Sequence, residues 1–417
     1  MARRVVVTGL GITCPIGNTV EEVWKSIEEG KCGIGPITHY DASQQKVKLA
    51  GEVKDLDLSP WLTRAEERKM DPYCRFAMAA AGQAMEDSGL LESPESRQRW
   101  GVVFSSGIGG IGAIEDNKVR GMEKGYDRVS PHFIPMAIAN MAAGHIAIRY
   151  GLQGKCTSVV TACASASNAI GDSFHYIRDG YGEVMVCGGS EAAITQLCMG
   201  GFTSLRALYT GTDPARASIP FDKERDGFVM GEGAGALILE ELDHARARGA
   251  HIYAEITGYG CSCDAYHITA PRPDGSGAER CMRLAMADAG VGPQDVDYIN
   301  AHGTSTKLND ACEAGAIRRI FTGDPCPVRV SSTKSMTGHL LGASGAVEAV
   351  AAIEAIVHDF LPPTAGWRVP DPDCMLDVVP GTGRPYPIRC AMSNSFGFGG
   401  HNASLIFEKY REKEGEE

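Results

Sequence analysis

The chain has 417 residues, of which 43% are hydrophobic and 22% charged. That mix supports a large buried core and excludes a disordered or fibrous polypeptide. The formal net charge of −12 argues against nucleic acid as a main partner, and no apolar run approaches the roughly 18 residues of a membrane span, so a cytoplasmic protein without membrane insertion is expected.

Met1-Ala2-Arg3-Arg4 precedes the apolar Val5-Val6-Val7. Gly9 and Gly11 break that run and no convincing cleavage site follows, so a first strand is predicted rather than a leader peptide. Gly9-Leu10-Gly11 lacks the third glycine of a dinucleotide loop, because Cys14 sits there, and a Rossmann site is rejected. Residues 34–68 and 108–143 read as insertions, the second opening on Gly107-Ile108-Gly109-Gly110.

Thr161-Ala162-Cys163-Ala164-Ser165-Ala166 is the most informative stretch. It follows the apolar Ser158-Val159-Val160 and precedes a helix-like run at 169–177. A cysteine at such a junction lies at a helix N-terminus, whose free N–H groups and dipole favour a thiolate below the ~8.5 of a free thiol. Its small neighbours leave room for a carbonyl substrate. Three later loops carry the partners. Ala301-His302-Gly303-Thr304-Ser305-Thr306 follows Val296-Asp297-Tyr298-Ile299. Ser331-Ser332-Thr333-Lys334-Ser335-Met336-Thr337-Gly338-His339 follows Val328-Arg329-Val330, and Ser393-Asn394-Ser395-Phe396-Gly397-Phe398-Gly399-Gly400 follows Ile388-Arg389-Cys390-Ala391. Sites in α/β sheets gather at the carboxyl ends of strands. Cys261 and Cys263 are the only close cysteine pair and lack the companions of a zinc site, so scattered buried thiols are expected.

An internal repeat runs through the chain. Val5-Val6-Val7-Thr8-Gly9 is echoed by Ala254-Glu255-Ile256-Thr257-Gly258, the Cys163 region by 328–356, and 233–240 by 400–408. Each half alternates strands and helices, which implies mostly parallel sheets covered by helices. The boundary falls near Gly249-Ala250, giving halves 1–250 and 251–412 and a charged tail 413–417.

Thr161-Ala162-Cys163, the His302 loop, Lys334 to His339 and Asn394 to Gly400, in this order, resemble the β-ketoacyl-acyl carrier protein synthases of type II elongation. The resemblance runs from about Arg4 to about Lys409. It implies an α/β thiolase-like fold, two similar halves stacked as a five-layer α-β-α-β-α sandwich. It implies a two-stage reaction: an acyl group passes from acyl carrier protein to Cys163, and decarboxylated malonyl carrier then attacks it. By that resemblance His302 and His339 stabilise the enolate, Lys334 supports them, and the N–H groups of Cys163 and Phe398 form the oxyanion hole. Thr304 and Thr306 take the pantetheine arm; Phe398 is a gate and Ile108 senses chain length. No redox cofactor is required. Asn300, Glu348, Ser393 and Asn394 match a site for a structural Na⁺ or K⁺. Arg64, Arg68 and Lys69, with Lys124, Arg128 and Arg206, are candidates for carrier docking, although Glu66 and Glu67 dilute the first cluster. A homodimer is implied, with Phe133 approaching the partner's acyl pocket. His401 stands where many relatives have threonine.

Four other readings share parts of this pattern. A ketosynthase of polyketide or other specialised synthesis has the same motifs. A thiolase needs a second cysteine, and the Phe398 turn offers none. A non-catalytic chain-length partner would lack Cys163. A cysteine hydrolase needs only a thiol–imidazole pair, fewer groups than stand here.

Overall fold

The computed structural model describes residues 3–323 and 327–412; the tail 413–417 lies outside the described residues. The first strand forms over Val5–Thr13 and is buried throughout. It pairs with Gly233–Glu241, and the half-sheet continues through Val184–Glu191 and Trp100–Ser105 to Cys156–Thr157. The second half repeats this order as Ala254–Cys263, His401–Glu408, Cys390–Gly397, Tyr298–Asn300 and Arg329–Ser331, with Asp377–Val378 at its edge. The two opening strands meet antiparallel at Val5–Val7 and Ala254–Ile256, so the half-sheets join into eleven strands.

The sheet is mixed rather than mostly parallel. Trp100–Ser105 and Tyr298–Asn300 run parallel to both their neighbours. Each half nevertheless closes on an antiparallel pair, Val184–Glu191 with Gly233–Glu241 and Cys390–Gly397 with His401–Glu408. Only residues 398–400 separate the latter two strands, and so short a link permits only an antiparallel hairpin.

Three cores order the layers. Helices Pro72–Asp87 and Met141–Tyr150 cover the outside of the first half-sheet through Ala77 and Ile146 against Val102 and Ile238. Helices Ser165–Arg178 and Ser344–His358 lie between the half-sheets, where Ile170 and Ile353 share a core with Leu237 and Leu405. Helices Ser276–Ala289 and Lys307–Ile320 cover the second through Met282 and Ile317 against Ile299 and Met392. The result is the expected α-β-α-β-α sandwich. A helix enclosed by two sheets must be apolar all round. Accordingly Leu341–His358 matches the length and hydropathy of a membrane span, contrary to the expectation that no run would; it is 89% buried in the protein.

Two local readings change, and the second insertion gains definition. The insertion 108–143 contains helices Ile111–Lys124 and Phe133–Ala137. Residues Ser393 to Gly397 are strand, and only the last part of that motif turns. Cys156, Cys261 and Cys263 are exposed rather than buried. The last two lie where Ala254–Cys263 runs out beyond the core.

Candidate active site

Cys163 lies in a short 3₁₀ turn, Ala162–Ala164, that feeds directly into helix Ser165–Arg178. The preceding strand is only Cys156–Thr157, and Ser158-Val159-Val160 is irregular. Ala162 adopts a positive φ of 50°. Polar clamps hold this strained turn: Ser165 Oγ accepts from Thr161 N at 2.9 Å and donates to the Ala162 carbonyl at 2.6 Å. Asn168 Nδ2 donates to Thr161 Oγ1 at 2.7 Å.

The thiol stands in a cavity of about 380 Å³ shared with His302, His339, Thr304, Thr306 and Phe398. The backbone N–H groups of Cys163 and Phe398 both act on the sulfur. Phe398 can approach because Gly397 precedes it. A Cβ there would lie 2.7 Å from the Thr161 carbonyl oxygen and 3.1 Å from Cys163 N. Gly399 and Gly400 then turn the chain with φ of 87° and 74°. The expected low thiol pKa is not found. Burial pushes Cys163 up to about 12, and the Lys334 charge and the two N–H groups offset only part of this. Burial thus favours the protonated sulfur, against the pull of those donors.

The histidines meet edge to face, with ring centroids 5.3 Å apart. Burial, and next the Lys334 charge, hold both imidazoles well below their ordinary range, so both are neutral. Each therefore has one N–H to donate. His339 Nδ1 lies 2.8 Å from Ser344 Oγ, which leaves Nε2 for a substrate. Lys334 is buried and ion-paired with Glu348. Burial raises the Glu348 carboxyl to about 7, against the lowering influence of that lysine.

Thr304 and Thr306 hydroxyls lie 2.9 Å apart along the cavity. Ile108 packs on the cluster holding Cys163 and Leu341. The Phe398 ring lies 6.2 Å from that of Phe202. Phe133 is half-buried on its own helix and is not part of the cavity wall of its own chain. His401 packs beside Gly399 and pairs across the sheet with Cys263.

Asn300 and Ser393 are register partners on adjacent strands, and Glu348 lies on the central helix Ser344–His358. Asn300 Oδ1, Glu348 Oε2 and Ser393 Oγ are buried without a protein hydrogen-bond partner among the described residues. Three unpartnered oxygens fit a hard monovalent cation. The Asn394 side chain does not join them, because its Oδ1 accepts from Ser404 and its Nδ2 donates toward Glu313.

Arg64, Arg68, Lys69, Lys124, Arg128 and Arg206 are all exposed, and only Arg206 lines the cavity itself. Glu66 is drawn away from the neighbouring cations: it accepts from Thr63 and pairs with Arg149 at 2.7 Å.

Two carboxylates near the cavity escaped the sequence reading. Glu313 accepts the backbone N–H groups of His302 and Gly303 at 2.9 and 2.8 Å. It lies on the buried face of Lys307–Ile320 beside Ala314 and Ile317, and an acidic residue on an apolar stripe was its signal. Asp264 accepts from Asn402 Nδ2 at 2.8 Å and Arg272 N at 3.0 Å. Its own N–H donates to Gly400, and Gly399 N donates to Ile268, so this segment is tied to the Phe398 turn.

Comparison with known proteins agrees with this geometry. The profile of the beta-ketoacyl synthase N-terminal domain matches residues 2–245 and that of the C-terminal domain matches 253–368. A 3-oxoacyl-[acyl-carrier-protein] synthase 2 of Synechocystis sp. is 53% identical over 410 residues, 98% of this chain and 99% of the relative. One of Staphylococcus aureus is 47% identical over 408 residues, again 98% and 99%. A solved type II PKS ketosynthase, in complex with its acyl-carrier protein and bound to a hexaketide, superposes with a TM-score of 0.91 at 36% identity, covering 99% of this chain and all of that one. The chain belongs to the beta-ketoacyl synthase family.

Proposed function

We propose that the protein condenses an acyl-cysteine with malonyl-acyl carrier protein, giving 3-oxoacyl carrier, CO₂ and free carrier, in type II fatty acid elongation. The observation that carries this reading is one cavity holding a thiol under two N–H donors beside two neutral histidines. Cys163 Sγ attacks the acyl-carrier thioester, whose carbonyl oxygen takes the N–H groups of Cys163 and Phe398. The carrier sulfur departs with the thiol proton. His302 and His339 then donate to the malonyl thioester carbonyl while its C–C bond breaks and CO₂ leaves. The enolate carbon attacks the acyl-cysteine carbonyl, and the Cys163 thiolate departs and is reprotonated. Oxyanion donors of this kind contribute about 10²–10³ each. The steps change no oxidation state, so no redox cofactor is required.

In this reading Thr304 and Thr306 hydrogen-bond the pantetheine arm, and Ile108 and Phe398 bound the acyl chain. Asn300, Glu348 and Ser393 hold a structural Na⁺ or K⁺ that organises the Lys334–Glu348 pair. Acidic carrier protein docks on Arg64, Arg68, Lys69, Lys124, Arg128 and Arg206; reversing the charge of the first three raises KM for carrier substrates and spares small pantetheine thioesters. The protein works in the cytoplasm as a homodimer, with Phe133 reaching the partner's acyl pocket. Exposed Ile134 and Ile138 on that segment support the dimer, and a monomeric mass in light scattering overturns it. The halves divide at 250/251.

The test supplies acyl carrier and malonyl carrier to the purified protein and follows products by mass spectrometry. A 3-oxoacyl carrier formed with one CO₂ supports the reading; acyl hydrolysis without a new C–C bond overturns it. Repeated extension without reduction would favour the polyketide alternative, which the fold likeness to the hexaketide-bound ketosynthase keeps in view.

A further inference from the structure

Glu191 is fully buried yet belongs to none of the groups assigned above. It ends the strand Val184–Glu191, opposite Gly233 on the next strand. In the second half the matching place, the end of Cys390–Gly397 opposite His401, is held by Gly397. Gly397 faces the Cys163 turn and, lacking a side chain, leaves the Cys163 N–H open to the cavity. The second half has its own copy of that turn, Leu341–Ala343, in which Gly342 occupies the place of Cys163. There a carboxylate fills the space. Glu191 Oε2 accepts from Gly342 N at 3.0 Å and from Gly107 N at 2.8 Å. Its Oε1 accepts from Ser106 Oγ at 2.7 Å and Ile108 N at 3.2 Å. Ser106 Oγ in turn accepts from Gly109 N at 2.8 Å.

The segment 106–109 is therefore pinned at four points to one carboxylate and its serine partner, and through Gly342 to the turn just past His339. Charge-assisted hydrogen bonds in a dry interior are the strong kind. The glycines are obligatory: a Cβ on Gly342 would lie 2.1 Å from Gly107 N. Ile108, whose backbone is clamped, packs against the apolar cluster to which Cys163 and Leu341 belong. With its backbone fixed, Ile108 can yield to an acyl chain only by turning its side chain.

We propose that Glu191 is a positioning residue that sets the acyl-length limit of the cavity, by clamping the Ile108 backbone to the Leu341–Ala343 turn. This rests on the reading of Ile108 as a wall of the acyl pocket. The test measures kcat and KM for acyl-carrier primers of graded length with wild type, Glu191→Gln, Ser106→Ala and Ile108→Ala. The Gln amide turns an NH₂ toward N–H donors and breaks the clamp. Glu191→Gln is expected to change the long-to-short primer ratio of kcat/KM about tenfold, as a shift in KM for long primers, with kcat on a short primer within about twofold. Ser106→Ala, which removes one oxygen, moves the ratio the same way by less, and decides the matter alone if Glu191→Gln does not fold. A uniform loss across lengths, or an unchanged ratio, overturns the proposal. If Ile108→Ala moves the ratio and the other two do not, only the Glu191 inference fails; if Ile108→Ala leaves it unmoved, the acyl-pocket reading fails.

Discussion

The two halves build the same turn and use it differently. Ala162 and Leu341 both adopt positive φ, 50° and 47°. Each opens a 3₁₀ turn and is followed three residues later by a serine that starts a central helix, Ser165 or Ser344. In the first half the turn carries Cys163, and its serine closes the turn on itself. In the second it carries Gly342, and its serine reaches back to His339. Four residues into the helices, the first has Ala169 and the second Glu348, the partner of Lys334. Duplication thus supplied one scaffold twice. The nucleophile kept one copy, and the hydrogen-bond donors and the buried charge grew around the other.

If that division is functional, each half-reaction should depend on one half of the molecule. The largest effect is expected from Cys163→Gln. Condensation falls on the order of 10⁴-fold or more, because no sulfur remains to carry the acyl group. Decarboxylation of malonyl carrier persists or rises, since the Gln carbonyl can take the oxyanion N–H groups. Next, His302→Ala and His339→Ala each lower decarboxylation about 10²–10⁴-fold, the usual worth of a positioned proton-handling group. Acyl-enzyme still forms and is seen by mass spectrometry. Labelled CO₂ release separates the cases. Loss of both half-reactions in every variant would break the comparison.

Sequence reached the motif residues through their joint arrangement. Cys163, His302, Lys334 and His339 are each open to a structural role alone, and it is four small-residue motifs in one order that carry the resemblance. It also reached the repeat, since Val5-Val6-Val7 and Ala254-Glu255-Ile256 pair directly. It did not reach the thiol's environment. The helix N-terminus was legible, but the desolvation that outweighs it comes from packing around Cys163. Nor did it reach Glu191 and Glu313, most of whose partners are backbone N–H groups, far along the chain for Glu191 and about three helical turns back for Glu313. Backbone donors leave no trace in residue identity. Nor was the direction of the Asn394 side chain legible: motif spacing places a residue on a strand, while the alternation of faces decides which way it points.

The smallest effect tests the comparison away from the chemistry. Ten residues into the central helices, His175 and Glu354 hold equivalent places. His175 is partly exposed and meets Asp288 at 2.9 Å. Glu354 is buried, faces His358 of its own helix at 3.2 Å, and feels Asp87 from Pro72–Asp87, which also accepts from Tyr253. Burial and then the Asp87 charge raise its carboxyl from 4.5 to about 7. A carboxyl raised in the folded state binds its proton more tightly there than in the unfolded chain. Its contribution to stability is full below the unfolded value and is lost as pH rises through the folded one. Glu354→Gln mimics the protonated form at every pH. Variant and wild type should therefore unfold alike at low pH. As pH rises from about 5 to about 8 the variant should become the more stable, by up to about 3 kcal/mol. Urea unfolding of both proteins at the two ends of that range gives the difference directly. A difference that stays flat with pH would mean that Glu354 is ionised throughout, and that the second central helix bears a buried charge as readily as the first bears its partly exposed histidine.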